Sequence, residues 1–303
     1  MIELTKNIKE KAIELGFQKV GIAESKFHPD DSVKLNEWLN LGYHGTMNWM
    51  QKRIDERENI KSYFPEAKTI ISLGINYYHG KSTNDYKISN YAWGKDYHII
   101  LKEKLVNLVE FIKSNEKNVK ALICVDTAPL MEKSWAQRAG LGWIGKHTNL
   151  ITRDYGSWIF LGEIVLDIDL NCDDIFQDDL CGSCTACIDH CPTNAIVDEY
   201  VLDARKCISY LTIENKEEFS DEIKGNLNSW IYGCDICQEV CPWNKKFSQK
   251  SNENAFKPNI QILNKNKRDW ENLTIEEYKK VFKKSPVKRA KFSGLKRNIL
   301  DNI

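Results

Sequence analysis

The stretch Cys181-Gly-Ser-Cys-Thr-Ala-Cys-Ile-Asp-His-Cys-Pro192 limits what this chain can fold into more than any other. Its spacing, C-x2-C-x2-C-x3-C-P, is the run that holds iron–sulfur clusters in bacterial two-cluster ferredoxins. A partial copy follows at Cys234-Asp-Ile-Cys-Gln-Glu-Val-Cys-Pro242, and Cys207 lies between the two. These eight thiols suffice for two four-iron clusters. Zinc also takes C-x2-C pairs, but a zinc site needs two such pairs rather than a triple followed by x3-C-P. In two-cluster ferredoxins the fourth cysteine of each motif ligates the other cluster. The expected sets are therefore Cys181, Cys184, Cys187 and Cys241 for one cluster, and Cys191, Cys207, Cys234 and Cys237 for the other.

Of the 10 cysteines, Cys124 and Cys172 remain. Cys124, in Ala121-Leu-Ile-Cys-Val125, reads as a small buried thiol; Cys172, in an acidic loop, is given no role. So many cysteines fit a reducing compartment only if most bind metal. The N-terminus lacks the basic-then-apolar layout of a signal peptide, and no apolar run reaches the roughly 20 residues that span a bilayer. The expectation is a cytoplasmic protein without membrane contact. Its 43 basic and 43 acidic residues cancel, so only a local patch could attract a polyanion.

Helical and strand patterns alternate over the first half. Ile2, Leu4, Ile8, Ala12, Ile13 and Leu15 fall roughly along one helical face, and Lys19–Ala23 reads as a short buried strand. Further strands are expected at 69–77, 119–125, 149–152 and 157–166, with a long amphipathic helix opening at Asp96. The expected organisation is an α/β (α+β) domain over 1–170, a ferredoxin-like two-cluster domain over 171–245 and a basic helical region over 246–303 that packs on the core. Two tempting motifs fail. The radical-SAM spacing C-x3-C-x2-C would need cysteines where Asn194 and Asn244 stand. Gly140-Leu-Gly-Trp-Ile-Gly145 matches GxGxxG, but it follows a helix instead of opening one, and so reads as a helix-terminating turn.

Clusters alone make an electron carrier; a large domain beside them points to an enzyme. Its most telling stretch runs from Asp126 to Leu150, with Asp126 at a strand's end before a helix. Together with Trp93-Gly-Lys-Asp-Tyr-His98, Tyr155-Gly-Ser157, Leu161-Gly-Glu163, Cys181–Ile196, Asp203–Glu214, Ile231–Gln238 and Cys241-Pro-Trp-Asn244, this block resembles the epoxyqueuosine reductases of bacterial tRNA modification. The resemblance covers nearly the whole chain.

That resemblance implies an oxidoreductase that reduces the epoxide of epoxyqueuosine, at the wobble position of a tRNA anticodon, to queuosine. It implies Co(I) cobalamin as the nucleophile, two [4Fe-4S] clusters as the relay, an external low-potential electron donor and a monomer. Asp126 matches the catalytic aspartate and would be the general acid, held protonated by a mostly apolar pocket. Arg57, Asp126, Leu161, Ser209 and Asp235 match positions that contact the cobalamin; for Lys146 and His147 two readings stay open, a place near the substrate or, equally for His147, a buried structural histidine. Asp96-Tyr-His98 begins like D-x-H-x-x-G, but Leu101 holds the glycine position, so a base-off cofactor with no protein histidine on cobalt is expected. The basic tract from Lys279 to Arg297 carries no acidic residue and is expected to meet tRNA phosphates. Two alternatives remain open in the sequence: another cobalamin and iron–sulfur reductase, such as a reductive dehalogenase, or a non-catalytic iron–sulfur electron carrier.

Overall fold

The computed structural model describes residues 1–303. Four strands, β1 (Lys19–Glu24), β2 (Thr69–Asn76), β3 (Ala121–Cys124) and β4 (Ile159–Leu166), make one sheet in the order β1-β2-β4-β3. Every pairing in it is antiparallel. Helix–strand alternation would equally have suited a parallel sheet; the pairing places this domain in the α+β class.

All eight residues of β2 are buried, because helices cover both faces of the sheet. On one face lie α1 (Ile2–Glu14) and α2 (Tyr97–Asn115), which meet Ile71, Leu73 and Ile164 in the largest core cluster. The repeat Leu101, Leu105, Leu108, Ile112 keeps one side of α2 on the sheet, and all four side chains are fully buried. Each contributes about 1.5–3 kcal/mol in apolar burial. The side chain of Asp96 caps α2 by accepting from the His98 N–H at 3.1 Å.

On the other face lies α3 (Glu132–Arg138), whose Trp135 and Ala136 pack with Ala23, Ile70, Cys124 and Val165. The following turn is a helix terminator as expected, with Gly140 at φ +77°. The cluster-bearing part is anchored to the sheet domain through Asn244. Its Oδ1 accepts from the Ser157 N–H at 2.6 Å, and it would collide with a Cβ on Gly156, whose φ is +61°.

After Cys207 comes α4 (Ile208–Ile213), and the chain closes with α5 (Lys291–Asp301). Residues 246–303 contribute Trp270, Phe282, Leu295 and Ile299 to a core shared with Trp93, Ile231 and Tyr232. Asn298 of α5, fully buried, donates to the carbonyls of Thr212 and Ile231 at 2.8 and 2.9 Å. The Lys284 carbonyl accepts from the Asp96 N–H at 2.8 Å, which brings the basic tract to the start of α2. No helix is long and apolar enough to cross a membrane.

Candidate active site and cluster sites

Asp126 follows β3 with φ +55°, a backbone region that costs a non-glycine residue energy and concentrates at functional sites. Its N–H donates to Glu132 Oε1 at 2.5 Å. Its carboxylate reaches His98 Nε2 at 3.1 Å, and His98 Nδ1 meets Asp96 Oδ1 at 2.8 Å. The imidazole is thus strung between two carboxylates, with its ring stacked on Tyr97 at 4.1 Å between centroids. Burial alone would lower the His98 pKa, but the bonds to Asp126 and Asp96 outweigh it and push it up to about 9. Burial likewise works to raise Asp126, yet the His98 hydrogen bond and charge hold it below the ordinary carboxylate value. Asp126 was expected to be kept protonated by an apolar pocket. The arrangement favours something else: an ionised Asp126 bonded to His98, whose imidazole both carboxylates hold toward its protonated form, with the Asp126 side chain still 57% exposed.

Arg57, on the short helix Ile54–Glu58, looks like a surface charge in the sequence but is only 8% exposed. Its guanidinium lies over the Trp49 ring, 5.4 Å from the centroid, and its Nε has no partner in the protein. Burial lowers its pKa, opposed in part by the charges of Asp126 and Glu132, so these groups share one neighbourhood. Leu161 is half-buried on β4, on the side that packs toward α3. Ser209 is half-buried in the first turn of α4. Asp235 is 2% exposed, and its two oxygens accept from the Ser89 hydroxyl and the Asn90 N–H. Burial pushes its pKa up to about 7 against those two bonds.

Cys181, Cys184, Cys187 and Cys241 line one cavity of about 160 Å³, together with Lys146 and His147. The thiols stand around this space without converging on one point: no three His, Cys, Asp or Glu side chains are arranged to hold a single metal ion. Burial raises the Cys187 thiol, and Cys181, Cys241 and Cys184 add to the shift. Burial also raises Cys237, with Cys207 and Cys191 contributing, and raises Cys234, with Cys237 and Cys207 contributing. Four thiols thus share one cavity, while Cys191, Cys207, Cys234 and Cys237 influence one another electrostatically, with Cys187 also acting on Cys237. Donors already face several sulfurs: the Trp143 indole reaches Cys181 Sγ at 3.5 Å and the Ala195 N–H reaches Cys191 Sγ at 3.2 Å. Such N–H···S bonds are one of the levers that set cluster potential.

Lys146 and His147 lie at the first cysteine cavity, both 3% exposed. The Lys146 ammonium donates to the Gly182 carbonyl and pairs with Glu199, each at 2.6 Å. Sequence reasoning passed over Glu132 and Glu163, and used His98 only to reject a cobalt ligand. Glu163 did leave a signal, a lone acid inside the apolar strand Ile159-Phe-Leu-Gly-Glu-Ile-Val-Leu166.

Residues 57–127 match the family described as "Epoxyqueuosine reductase QueG, DUF1730", and residues 180–244 match a 4Fe-4S double cluster binding domain. The epoxyqueuosine reductase of Cellulophaga algicola is 47% identical over 294 residues, covering 96% of this chain and 95% of the relative. The chain belongs to the epoxyqueuosine reductase family. Leadbetterella byssophila has a member that is 46% identical over 99% of this chain and 98% of its own. Among solved epoxyqueuosine reductases, one bound to an epoxyqueuosine-modified stem loop of tyrosine tRNA superposes with a TM-score of 0.90 at 30% identity, over 99% of this chain and 80% of that one. Another, from Bacillus subtilis, has a TM-score of 0.89 at 29% identity over 99% and 81%, and is described with its catalytic aspartate loop swung out of the active site. The double-cluster match spans every cysteine from Cys181 to Cys241, so this epoxyqueuosine reductase carries two four-iron clusters.

Proposed function

We propose that this chain reduces the epoxide of epoxyqueuosine in a tRNA anticodon to the alkene of queuosine, adding two electrons and two protons and releasing water. Residues 1–170 hold cobalamin and the proton donor, 171–245 the clusters, and 246–303 the surface that meets tRNA. The chain works as a monomer fed by an external low-potential donor. The observation that carries this reading is the accessible Asp126 carboxylate 3.1 Å from His98 Nε2, a pairing that raises the His98 pKa to about 9.

The residues present fit a cobalamin. Arg57 offers a buried N–H without a protein partner, Leu161 an apolar surface and Ser209 a small hydroxyl. Both ring nitrogens of His98 are engaged by carboxylates, which supports a cobalt without a histidine ligand. When bound and kept reduced, cobalamin supplies the nucleophile that opens the epoxide. The protein's part is the proton. An alkoxide forming beside Asp126 draws a proton from the Asp126–His98 pair, and Asp96 holds the imidazole in the orientation that delivers it. Asp235, with both oxygens already satisfied, supports the cofactor pocket by fixing the 89–90 backbone. The loop bearing Asp126, residues 125–130, is the counterpart of the one that swings in the Bacillus subtilis relative.

Anaerobic protein holding both clusters and cobalamin, given a reductant and epoxyqueuosine-containing tRNA, is expected to yield queuosine by mass spectrometry of the digested tRNA. Absence of product with all cofactors bound would overturn the assignment.

The basic tract divides in two. Arg289 forms a two-pronged ion pair with Glu214, Arg297 donates to the carbonyls of Leu211, Asn215 and Glu217, and Lys296 bonds the Glu271 carbonyl. These hold the fold. Lys279, Lys280, Lys283, Lys284 and Lys288 are exposed, Lys284 next to the start of α2 and Lys288 also donating to the Lys283 carbonyl at 3.1 Å, and they are the ones proposed to meet phosphates. Replacing Lys283 and Lys284 by alanine is expected to flatten the salt dependence of tRNA binding, by about 0.7–0.9 for each phosphate left without its lysine. An unchanged slope of log affinity against log salt would remove them from the interface.

A further inference from the structure

Glu163 sits mid-strand in β4 with no exposed surface, and neither of its carboxyl oxygens receives a hydrogen bond from the protein. Its cross-strand neighbours are Ser72 and Cys124, both fully buried, and the Ser72 hydroxyl is itself unpartnered. A carboxylate placed there would be a buried charge without a donor, a state that proteins avoid by keeping the proton. Burial raises its pKa well above the ordinary value, and the carboxyl of Glu132 adds to the shift. Glu132 opens α3, which packs on this face of the sheet. Burial pushes its pKa up to about 7, with the Asp126 charge adding. Leu161 and Val165, two residues to either side of Glu163 on the same face of β4, pack with Trp135 and Ala136 of α3, so Glu163 is turned toward the helix that Glu132 opens. Two neighbouring carboxyls there hold one proton between them more readily than none. A protonated Glu163 then has one O–H to donate, and of its two neighbouring acceptors, the Ser72 hydroxyl and the Glu132 carboxyl, the carboxylate is the stronger. Glu132 Oε1 in turn accepts the N–H of Asp126 at 2.5 Å.

We propose that Glu163 and Glu132 form a one-proton latch that holds the Asp126 loop inward: the Glu163 O–H donates to Glu132, and Glu132 accepts the backbone N–H of Asp126. Glu163 is therefore a positioning residue, acting through two hydrogen bonds and never touching the substrate. The latch explains why a fully buried acid occupies the middle of an apolar strand, and how a loop with Asp126 at φ +55° is kept in that conformation. It rests on the Asp126–His98 pair being the proton donor, and it gives the loop a bistable element: latched with Asp126 against His98, or released.

The test is Glu163→Leu in protein loaded with both clusters and cobalamin, read by amide exchange over residues 125–130, by melting temperature and by turnover. Leucine removes the donor and also a costly buried acid. The expected result is an unchanged or higher melting temperature, loop exchange about tenfold faster and turnover about tenfold lower at unchanged KM for tRNA. Glu163→Gln, whose amide can still donate to Glu132, should recover most of both. A residue that merely filled the core would instead show activity following stability. Should the leucine variant not fold, Glu132→Ala opens the same contact from the half-buried end of α3, with faster loop exchange expected. Native loop exchange in Glu163→Leu or Glu132→Ala would overturn the latch, as would a glutamine variant as impaired as leucine. Exchange is measured without substrate, so the latch is decided even if the protein proves to act on something else.

Discussion

Asp126→Asn should lower turnover by about 10²- to 10⁴-fold, the range for loss of general acid–base catalysis, since Asp126 is half of the proton-donating pair. Clusters, fold and tRNA affinity should be retained. Asparagine is the informative substitution because it tolerates the left-handed backbone that Asp126 adopts, whereas alanine at φ +55° adds strain of its own. The amide can still bond His98 but no longer offers the charge that keeps the imidazole protonated. In the parent protein the His98 pKa is raised to about 9. A raised histidine is protonated, and its ion pair present, below its unfolded value; the pair is lost as pH rises through about 9. Queuosine formation by the parent should accordingly hold across neutral pH and fall above that point. In Asp126→Asn the residual rate should fall at lower pH, since one of the two carboxylates holding the proton is gone. A variant with parental turnover and parental pH profile would remove Asp126 from the chemistry.

What the sequence disclosed and what it hid follow from how local each feature is. The four strands of the sheet were legible as apolar runs bounded by polar turns, and α2 as a repeat of leucines behind a capping Asp96. The direction of strand pairing was not, because a strand buried on both faces, such as β2, shows no alternation from which a register or neighbour can be read. The cysteine motifs were legible because their ligands lie a helical turn apart in the chain. The Asp96–His98–Asp126 string joins residues 28 positions apart, and only the packing of α2 against the sheet brings them together. Arg57 reads as a surface charge until Trp49 is seen covering it. Counting charges also overstated the basic tract, since Arg289, Lys296 and Arg297 spend their donors on the protein itself.

Loss of single cysteines should have the largest effect of all, and the pattern of losses tests which thiols share a cluster. Cys241 belongs to the second motif by sequence but lies around the first cavity with Cys181, Cys184 and Cys187. Cys191 belongs to the first motif, yet after burial and Cys207 it does most to raise Cys237, with Cys187 contributing less. Cys241→Ala should then empty the cluster held by the first triple and leave about four of about eight irons. Cys191→Ala should do the converse, and each should stop turnover, because electrons must pass both clusters. Iron analysis of single variants cannot tell which cluster is missing, but pairs can, since two changes at one cluster do not add. Cys241→Ala with Cys184→Ala should lose no more iron than either alone. Cys241→Ala with Cys234→Ala should empty both sites. If each motif instead served its own cluster, the two results would be exchanged: the first pair would strip all the iron and the second only half of it.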